Sequence, residues 1–426
     1  MTSVAHDTTH EKTHVGIIGA GIVGLSCALW LLQAGYRVTV IDRGQPGEGT
    51  SFGNAGVLAG FARLPFTRFS MLSKIPRLLM DRDSPLSVAG HYVPDLMPYG
   101  WHYFRSCFNY KTMRSALTEL QASAFDADQV LLNLTGGKHL VQSKGSLGLY
   151  ADAGSIAQAK TGEMRERQQQ GVNLEFLDAL QVHDLEPGLA PFYAGGVYYP
   201  DTRFTVSPIE LSRCYARYFE AQGGRIIRDK VNFIDVKDHG VAVQSSLQCE
   251  QFDQLVIAAG VASKPLLAQL GLSIPLVSER GYHLMIDAEG KQLSRPIAWL
   301  DKSVFISPME GSIRMAGTAE FADENAMPNR GRVECMKRHA HTMLGDDLNI
   351  ESTWVGSRPS TPDSLPVIGP LPGQPRITLA FGHGHLGLTL SAVTGKLVAE
   401  TIQGTKPSVD LEAFSPLRFS QQRSVA

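Results

Sequence analysis

The chain predicts an α/β fold: a doubly wound nucleotide-binding domain with an inserted α+β domain built on an antiparallel sheet. Three observations predict it. The stretch His14-Val15-Gly16-Ile17-Ile18-Gly19-Ala20-Gly21-Ile22-Val23-Gly24 reads as a strand, a glycine turn and the start of a helix. Gln254-Leu255-Val256-Ile257-Ala258-Ala259-Gly260 is a second apolar run ending in a glycine turn, as parallel strands buried on both faces do. Segments 274–286, 303–307 and 312–317 read as strands of another sheet. The chain then returns through 353–358, 377–382 and a last helix over about 388–403.

The first segment has the whole βαβ context and not glycine spacing alone. Gly19 permits the tight turn, Gly21 lets backbone approach a pyrophosphate, and Gly24 lets helix pack on strand. Ile22 and Val23 open a helix whose N-terminal amides face the phosphate charge. A short strand over 37–41 follows and ends at Asp42, where a carboxylate can accept both ribose hydroxyl protons; Arg43 comes next. Residues 15–36 carry no charge and are long enough to span a bilayer. Four glycines at fingerprint spacing, Ser26, Gln33 and the following strand argue against a span or a leader peptide.

A length of 426 residues gives room for two connected domains and a large core. The formal charge of −2 points to neither nucleic acid nor an anionic surface as partner. Five dispersed cysteines, with no CxxC, speak against an iron–sulfur cluster or zinc ribbon and fit a reducing cytoplasm. Residues 1–13 are polar and expected to be disordered. The proline-punctuated region 65–98 reads as irregular, and 115–134 and 156–170 as helical. Ser207, Pro208 and Glu210 form a capping-box start for a helix that ends at Gly223-Gly224. Strands are expected over 225–228, 231–236 and 240–245, and a surface helix over 332–344.

Three further segments carry chemistry. Thr50-Ser51-Phe52-Gly53-Asn54-Ala55-Gly56 follows Asp42, and its small residues let amides approach a second phosphate or a flavin ring. In Gly356-Ser357-Arg358-Pro359-Ser360-Thr361-Pro362-Asp363-Ser364-Leu365-Pro366-Val367-Ile368-Gly369, an arginine leaves a strand before a proline-stiffened turn. Such an arginine either holds a carboxylate bidentately or sits in a surface salt bridge, with Asp363 one available partner. Gly382-His383-Gly384-His385-Leu386-Gly387-Leu388-Thr389 opens the last helix, whose N-terminus would stabilise negative charge on a reduced flavin. Its His-x-His pair lacks a nearby carboxylate or cysteine, and Cys335, His339 and His341 read as a helix surface, so no metal site is expected.

The combination GAGIVG, TSFGNAG, RPSTPDSLPVIG and GHGHLGLT resembles the FAD-dependent D-amino-acid oxidase superfamily over residues 15 to about 404. Within it, TSFGNAG and Glu279-Arg280-Gly281-Tyr282-His283 look most like bacterial D-amino-acid and D-hydroxyproline dehydrogenases. The resemblance implies a Rossmann-type FAD-binding domain over 14–64, 195–271 and 350–405, and a substrate domain over 65–194 and 272–349. The family's ribose acid, usually Glu, falls on Asp42. The segment from Thr50 through Ser51, Asn54, Ala55, Gly56 and Val57 to Leu58 would follow the pyrophosphate and isoalloxazine. Val231 would hold adenine through its backbone, with Ala259 and Gly260 passing the pyrophosphate. Gly382, His383, His385, Leu386, Gly387, Leu388 and Thr389 would meet the isoalloxazine. Arg358 matches the substrate-carboxylate clamp, and Tyr282 and His283 fall near the pocket. No flavin-linking residue stands out, so FAD is expected to be noncovalent.

The implied reaction is oxidative deamination of a D-amino or cyclic imino acid, with hydride passing from Cα to flavin N5. The imine hydrolyses to a 2-oxo acid, or a cyclic imine is retained. No protein acid or base is assigned. Electrons would go to a quinone or other respiratory acceptor, so peripheral docking on the inner face of the cytoplasmic membrane fits. A glycine- or sarcosine-type oxidase using O₂ shares the same site, an NAD-dependent dehydrogenase shares the fingerprint, and a non-catalytic flavoprotein subunit remains a different class. Substrate side chain and oligomeric state are not legible.

Overall fold

The computed structural model describes residues 12–81 and 83–420. The expectation for residues 1–11 lies outside them. The nucleotide-binding sheet has six strands in the spatial order Arg225–Arg228, Arg37–Asp42, His14–Ile18, Gln254–Ile257, Gln374–Phe381, Val367–Leu371. The first five are parallel and the last is antiparallel. Strand order reverses at His14–Ile18, so the crevice beyond Ile18 and Ile257 is the position where such sheets bind ligands.

One face of this sheet is covered by the Ile22–Gln33, Pro208–Ala221 and Gly387–Ile402 helices. The first and last cross closely: a Cβ on Gly395 would lie 2.6 Å from the Ser26 backbone. Ser207 caps its helix by accepting from the Glu210 amide. The other half of the expected box is absent, because the Glu210 carboxylate faces Arg213 and Arg217 instead. The opposite sheet face packs on a three-stranded meander, Val231–Lys237, Gly240–Ser245 and Cys249–Phe252, in place of a crossover helix.

The second sheet has nine strands. From one edge inward it runs Ile350–Ser360, Val277–Asp287, Ser312–Phe321 and Val304–Met309, all antiparallel. This redraws the expected partition. Gly195–Tyr199 and Ile350–Ser360 hydrogen-bond into this sheet rather than the nucleotide-binding one. Conversely, Tyr110–Ala122 and Ala124–Thr135 pack on the nucleotide-binding core through Met113, Leu117, Leu120 and Leu131. Apolar periodicity places a helix but does not say which sheet buries it.

Two other expectations change. The 115–134 and 156–170 patterns each divide into two helices, the second at Gly162. The irregular 65–98 region contains short helices Phe69–Leu72 and Ile75–Met80, and the 15-residue helix Val93–Cys107 begins inside it. Proline hid the last of these: Pro94 lies in its first turn, where no amide partner is needed, and Pro98 is inside it. The Arg330–Leu344 helix is not simply superficial, since Cys335, Met336, His339, Ala340 and Met343 are buried against the second sheet.

Candidate active site

The nucleotide cradle is built as its residue types require. Gly19 has φ +113, and a Cβ there would lie 2.4 Å from the Ala258 carbonyl. A Cβ on Gly24 would meet the Gly19 carbonyl at 1.9 Å. Gly21 differs: its Cβ would approach only Ser51 Oγ, at 3.4 Å. The space over Gly21 is therefore open, at the N-terminus of the helix beginning with Ile22 and Val23. Ser51 Oγ accepts from the Ile22 amide at 3.0 Å, fixing the glycine-rich loop beside that terminus. Asp42 ends its strand and accepts from the Ala20 and Gly44 amides, at 2.7 and 2.8 Å. Arg43 is largely exposed, 3.9 Å from Glu324. Val231 starts the meander just beyond Asp229, whose amide donates to the Asp42 carbonyl. Ala259 and Gly260 (φ +59) turn out of the Gln254–Ile257 strand beside Gly19. These residues fit FAD: an open glycine, a helix N-terminus and a carboxylate line one crevice.

The loop from Thr50 to Leu58 runs from that crevice to the second sheet. Thr50 Oγ1 donates to the Ser357 carbonyl at 2.5 Å. Asn54 Oδ1 accepts from Gly56 N, and Gly56 has φ +78. Ala55 leads into the short Val57–Leu58 strand, which pairs with Arg203–Thr205. Ala59 N donates to Thr389 Oγ1, joining this loop to the last helix. Gly382 (φ +81) turns the chain into that helix, through the Gly384–Leu386 turn to Gly387 and the buried Leu388. His383 is buried, with Nε2 2.9 Å from Thr394 Oγ1; burial holds its ring at about 3.

Strand alternation sorts the motif Glu279-Arg280-Gly281-Tyr282-His283 onto two faces. Glu279, Gly281 and His283 face the loop, whereas Arg280 and Tyr282 face the Arg330–Leu344 helix. Tyr282 corrects the sequence expectation. It is buried, its hydroxyl donates to Glu320 Oε2 at 2.5 Å, and it accepts from the Asn329 amide. Arg280 is buried on that same side against Glu320. His283 does face the loop: Nδ1 is 3.4 Å from the Gly53 carbonyl and the ring stacks on Trp354 at 5.1 Å. Burial, then Arg314, lowers His283 to about 3, so it is neutral. Arg314 itself holds the carbonyls of Phe52 and Asn54.

Arg358 lies on the loop-facing side, with its guanidinium across Gly281, where a Cβ would be 2.1 Å from Nη2. Its Nη1 reaches Glu279 Oε1 at 3.3 Å and the Thr318 carbonyl at 2.9 Å. Nε and Nη2 have no hydrogen-bond partner among the described residues. One edge of the fork is anchored and the other remains for a ligand. Asp363 is not its partner, being paired with Arg418 at 2.6 Å.

Glu279 is the residue sequence reasoning missed. It is buried and accepts from His385 Nε2 at 2.8 Å and Ser360 Oγ at 2.7 Å as well as from Arg358. Burial pushes its carboxyl up, but His385, then Arg358 and Ser360, outweigh it and hold it at about 2. No local sequence signal marks this residue, because the antiparallel register that pairs Glu279 with Arg358 exists only in the folded sheet. Thr318 was also missed. It has φ +60, rare for a β-branched residue, at a bulge opposite Gly281, and this turns its carbonyl to Arg358.

Residues 14–401 match the family described as FAD dependent oxidoreductase. The chain belongs to that family, and FAD is its cofactor. A D-amino-acid oxidase of Bradyrhizobium diazoefficiens is 34% identical over 420 residues, covering 96% of this chain and 99% of the relative. A D-amino acid dehydrogenase of the same organism is 29% identical over 426 residues, with 95% and 99% covered. Among solved structures, glycine oxidase from Geobacillus kaustophilus shares the fold with a TM-score of 0.73, at 22% identity, covering 95% and 98% of the two chains.

Proposed function

We propose that the protein oxidises a D-amino or cyclic imino acid whose carboxylate docks on Arg358. The observation that carries this reading is the half-anchored guanidinium on the loop-facing side of the sheet. Thr318 and Glu279 fix one edge, and the free edge presents two donors in the geometry a carboxylate matches. Bound FAD supplies the two-electron acceptor for such a substrate. The chain's part is orientation: Arg358 fixes the carboxylate, which restricts where the Cα–H bond points. The Cα–H electron pair leaves as hydride while the nitrogen lone pair forms the C=N bond. The imine then takes up water to give a 2-oxo acid and ammonia, or persists as a cyclic imine. Glu279 remains anionic and keeps Arg358 from swinging.

Two acceptors are in play. The resemblance of TSFGNAG and Glu279–His283 to the dehydrogenase branch supports a quinone or other electron-transfer acceptor. The 34% identity to a D-amino-acid oxidase supports O₂ as the second reading. FAD is read as noncovalent, so acid precipitation should leave the yellow cofactor in the supernatant.

The test is anaerobic bleaching of the bound flavin by a panel of D- and L-amino acids and both hydroxyproline epimers, followed by reoxidation. Rapid reoxidation by a quinone or dye with slow reaction in air supports the dehydrogenase; rapid stoichiometric peroxide supports the oxidase. Arg358→Ala should keep FAD and lose about 2–5 kcal/mol of transition-state binding, roughly 30- to several-thousand-fold in kcat/KM. Arg358→Lys should recover part of that, since an ammonium lacks the fork. An amino amide should be a poor substrate and nearly indifferent to the substitution. Turnover by Arg358→Ala within about threefold of wild type would place the clamp elsewhere. Neither Arg280 nor Arg203 is well placed to replace it. Arg280 faces the other side of the sheet. Arg203 lies over the Phe125 ring in a cleft of about 480 Å³ that shares no lining residue with the Arg358 cluster.

A further inference from the structure

Nine of the fifteen large apolar side chains that are exposed among the described residues fall within residues 66–108. The concentration has a regular geometry. On the Val93–Cys107 helix and the residue after it, Val93, Met97, Trp101, Phe104 and Phe108 recur at spacings of 4, 4, 3 and 4, one stripe of an α-helix. The stripe points outward: Met97 is 70% exposed, Trp101 57% and Phe108 69%. The inner side is the one that packs, with Tyr99 donating to the Thr361 carbonyl and Tyr103 to that of Phe66. Phe69 continues the stripe across to the neighbouring short helix, its ring 4.9 Å from Phe108 and 6.1 Å from Phe104. The connected part is on the order of 600 Å² of apolar surface, at or above the largest patch of an ordinary monomer.

The same stretch of chain is cationic. Residues 66–111 contain six Lys or Arg and three Asp, in a chain whose formal charge is −2. Lys74, Arg77, Arg105 and Lys111 are exposed, and none has an acidic partner within 4 Å among the described residues.

We propose that this face docks on an anionic phospholipid bilayer, with the aromatic stripe in the headgroup region and the four cations against lipid phosphates. Aromatic and aliphatic side chains on one helix face, with Arg105 on the same helix and unpaired Lys and Arg on the segments before and after it, suit an interfacial contact with anionic lipid. A second copy is the weaker occupant, because a two-fold contact through this patch would set the same cations against one another. No described helix is long and apolar enough to cross the bilayer, so the contact is peripheral. The patch adjoins the candidate site: the Phe66 ring is 5.3 Å from that of His385, which holds Glu279. Docking would therefore bring the site close to the lipid surface, where an apolar electron acceptor resides. That benefit rests on the quinone reading of the acceptor; the binding does not, and it is measured without turnover.

The experiment is co-sedimentation of the FAD-loaded full chain with phosphatidylcholine vesicles containing about one-third phosphatidylglycerol, and with pure phosphatidylcholine vesicles. The wild type should sediment with the anionic vesicles and at least tenfold less with the neutral ones. Lys74→Gln/Arg77→Gln should weaken anionic binding about tenfold or more, at about 1 kcal/mol per charge. Trp101→Ser/Phe108→Ser should weaken binding to both compositions by a similar factor. Dye-linked activity in solution should stay unchanged in both variants. Failure of the wild type to sediment, or sedimentation indifferent to both pairs of substitutions, overturns the proposal. So does light scattering that shows Trp101→Ser/Phe108→Ser to fall to a smaller oligomer, which would make the patch a contact between copies. Binding without quinone reduction would leave docking standing and remove only the acceptor reading.

Discussion

At the residue scale the crevice and the clamp use opposite strategies. Gly19 and Gly24 are glycines because the protein itself fills the space beside them, whereas Gly21 faces room that the fold leaves open. This separates fold from ligand in one experiment. Gly21→Val should leave circular dichroism and melting of the apoprotein near wild type, because its first new atom meets only the Ser51 hydroxyl at 3.4 Å. FAD should be lost, because the side chain fills the approach of the pyrophosphate. Flavin retained through desalting at wild-type stoichiometry would show that Gly21 does not adjoin the phosphates. At the clamp, Arg358 depends on neighbours that are remote in sequence: Glu279, Thr318 and the absence of a Cβ on Gly281.

At the scale of elements, alternation along Val277–Asp287 decides which motif residues can act. A strand delivers every second side chain to a face. Glu279 and His283 therefore reach the candidate site, and Tyr282 is committed to Glu320 and Asn329. The motif was legible as a string, but the face of each member was not. The pairing of helices is the second element-scale constraint. Gly395 lets the last helix approach the first so closely that a Cβ would lie 2.6 Å from the Ser26 backbone. Gly395→Leu should cost about 1–3 kcal/mol or more by overpacking, read as a lower denaturant midpoint at unchanged m-value. A midpoint equal to wild type would mean that the helices can separate freely.

At the scale of the whole molecule, burying imidazoles makes stability depend on pH. Burial lowers His283 and His383 to about 3 and His339 to about 4, from an ordinary value near 6.5. All three are buried and neutral in the fold. Below about pH 6.5 the unfolded chain binds protons that the folded chain refuses. Their contribution is therefore complete above that pH and is lost as pH falls toward 4 and then 3. Each therefore destabilises the fold progressively as pH falls below about 6.5, His339 until about pH 4 and the other two until about pH 3. Glu279, held at about 2, adds its own loss only below about pH 4.5. Asp128 works the other way, because burial raises its carboxyl to about 7 and the fold gains stability as it protonates, offsetting about one of the three rings. The melting temperature should still drop from pH 7 to pH 5; a flat profile over that range would contradict the burial of these rings.

The sequence by itself determined the nucleotide-binding half, because its signals are local. Glycine spacing, an apolar strand and a terminal carboxylate within about 30 residues have one economical arrangement, and Gly19, Gly21, Gly24 and Asp42 take it. It also placed Arg358 on a strand, but not that strand's end: pairing continues through Pro359 to Ser360 instead of breaking at the proline. Only the tertiary structure decided what Arg358 meets. Glu279 lies 79 positions away and becomes its neighbour through antiparallel register, and Thr318 offers its carbonyl only because a bulge turns it. The outward face of the Val93–Cys107 helix was undecidable for the same reason. An amphipathic stripe says that one face is apolar, but whether protein covers it depends on what else folds beside it.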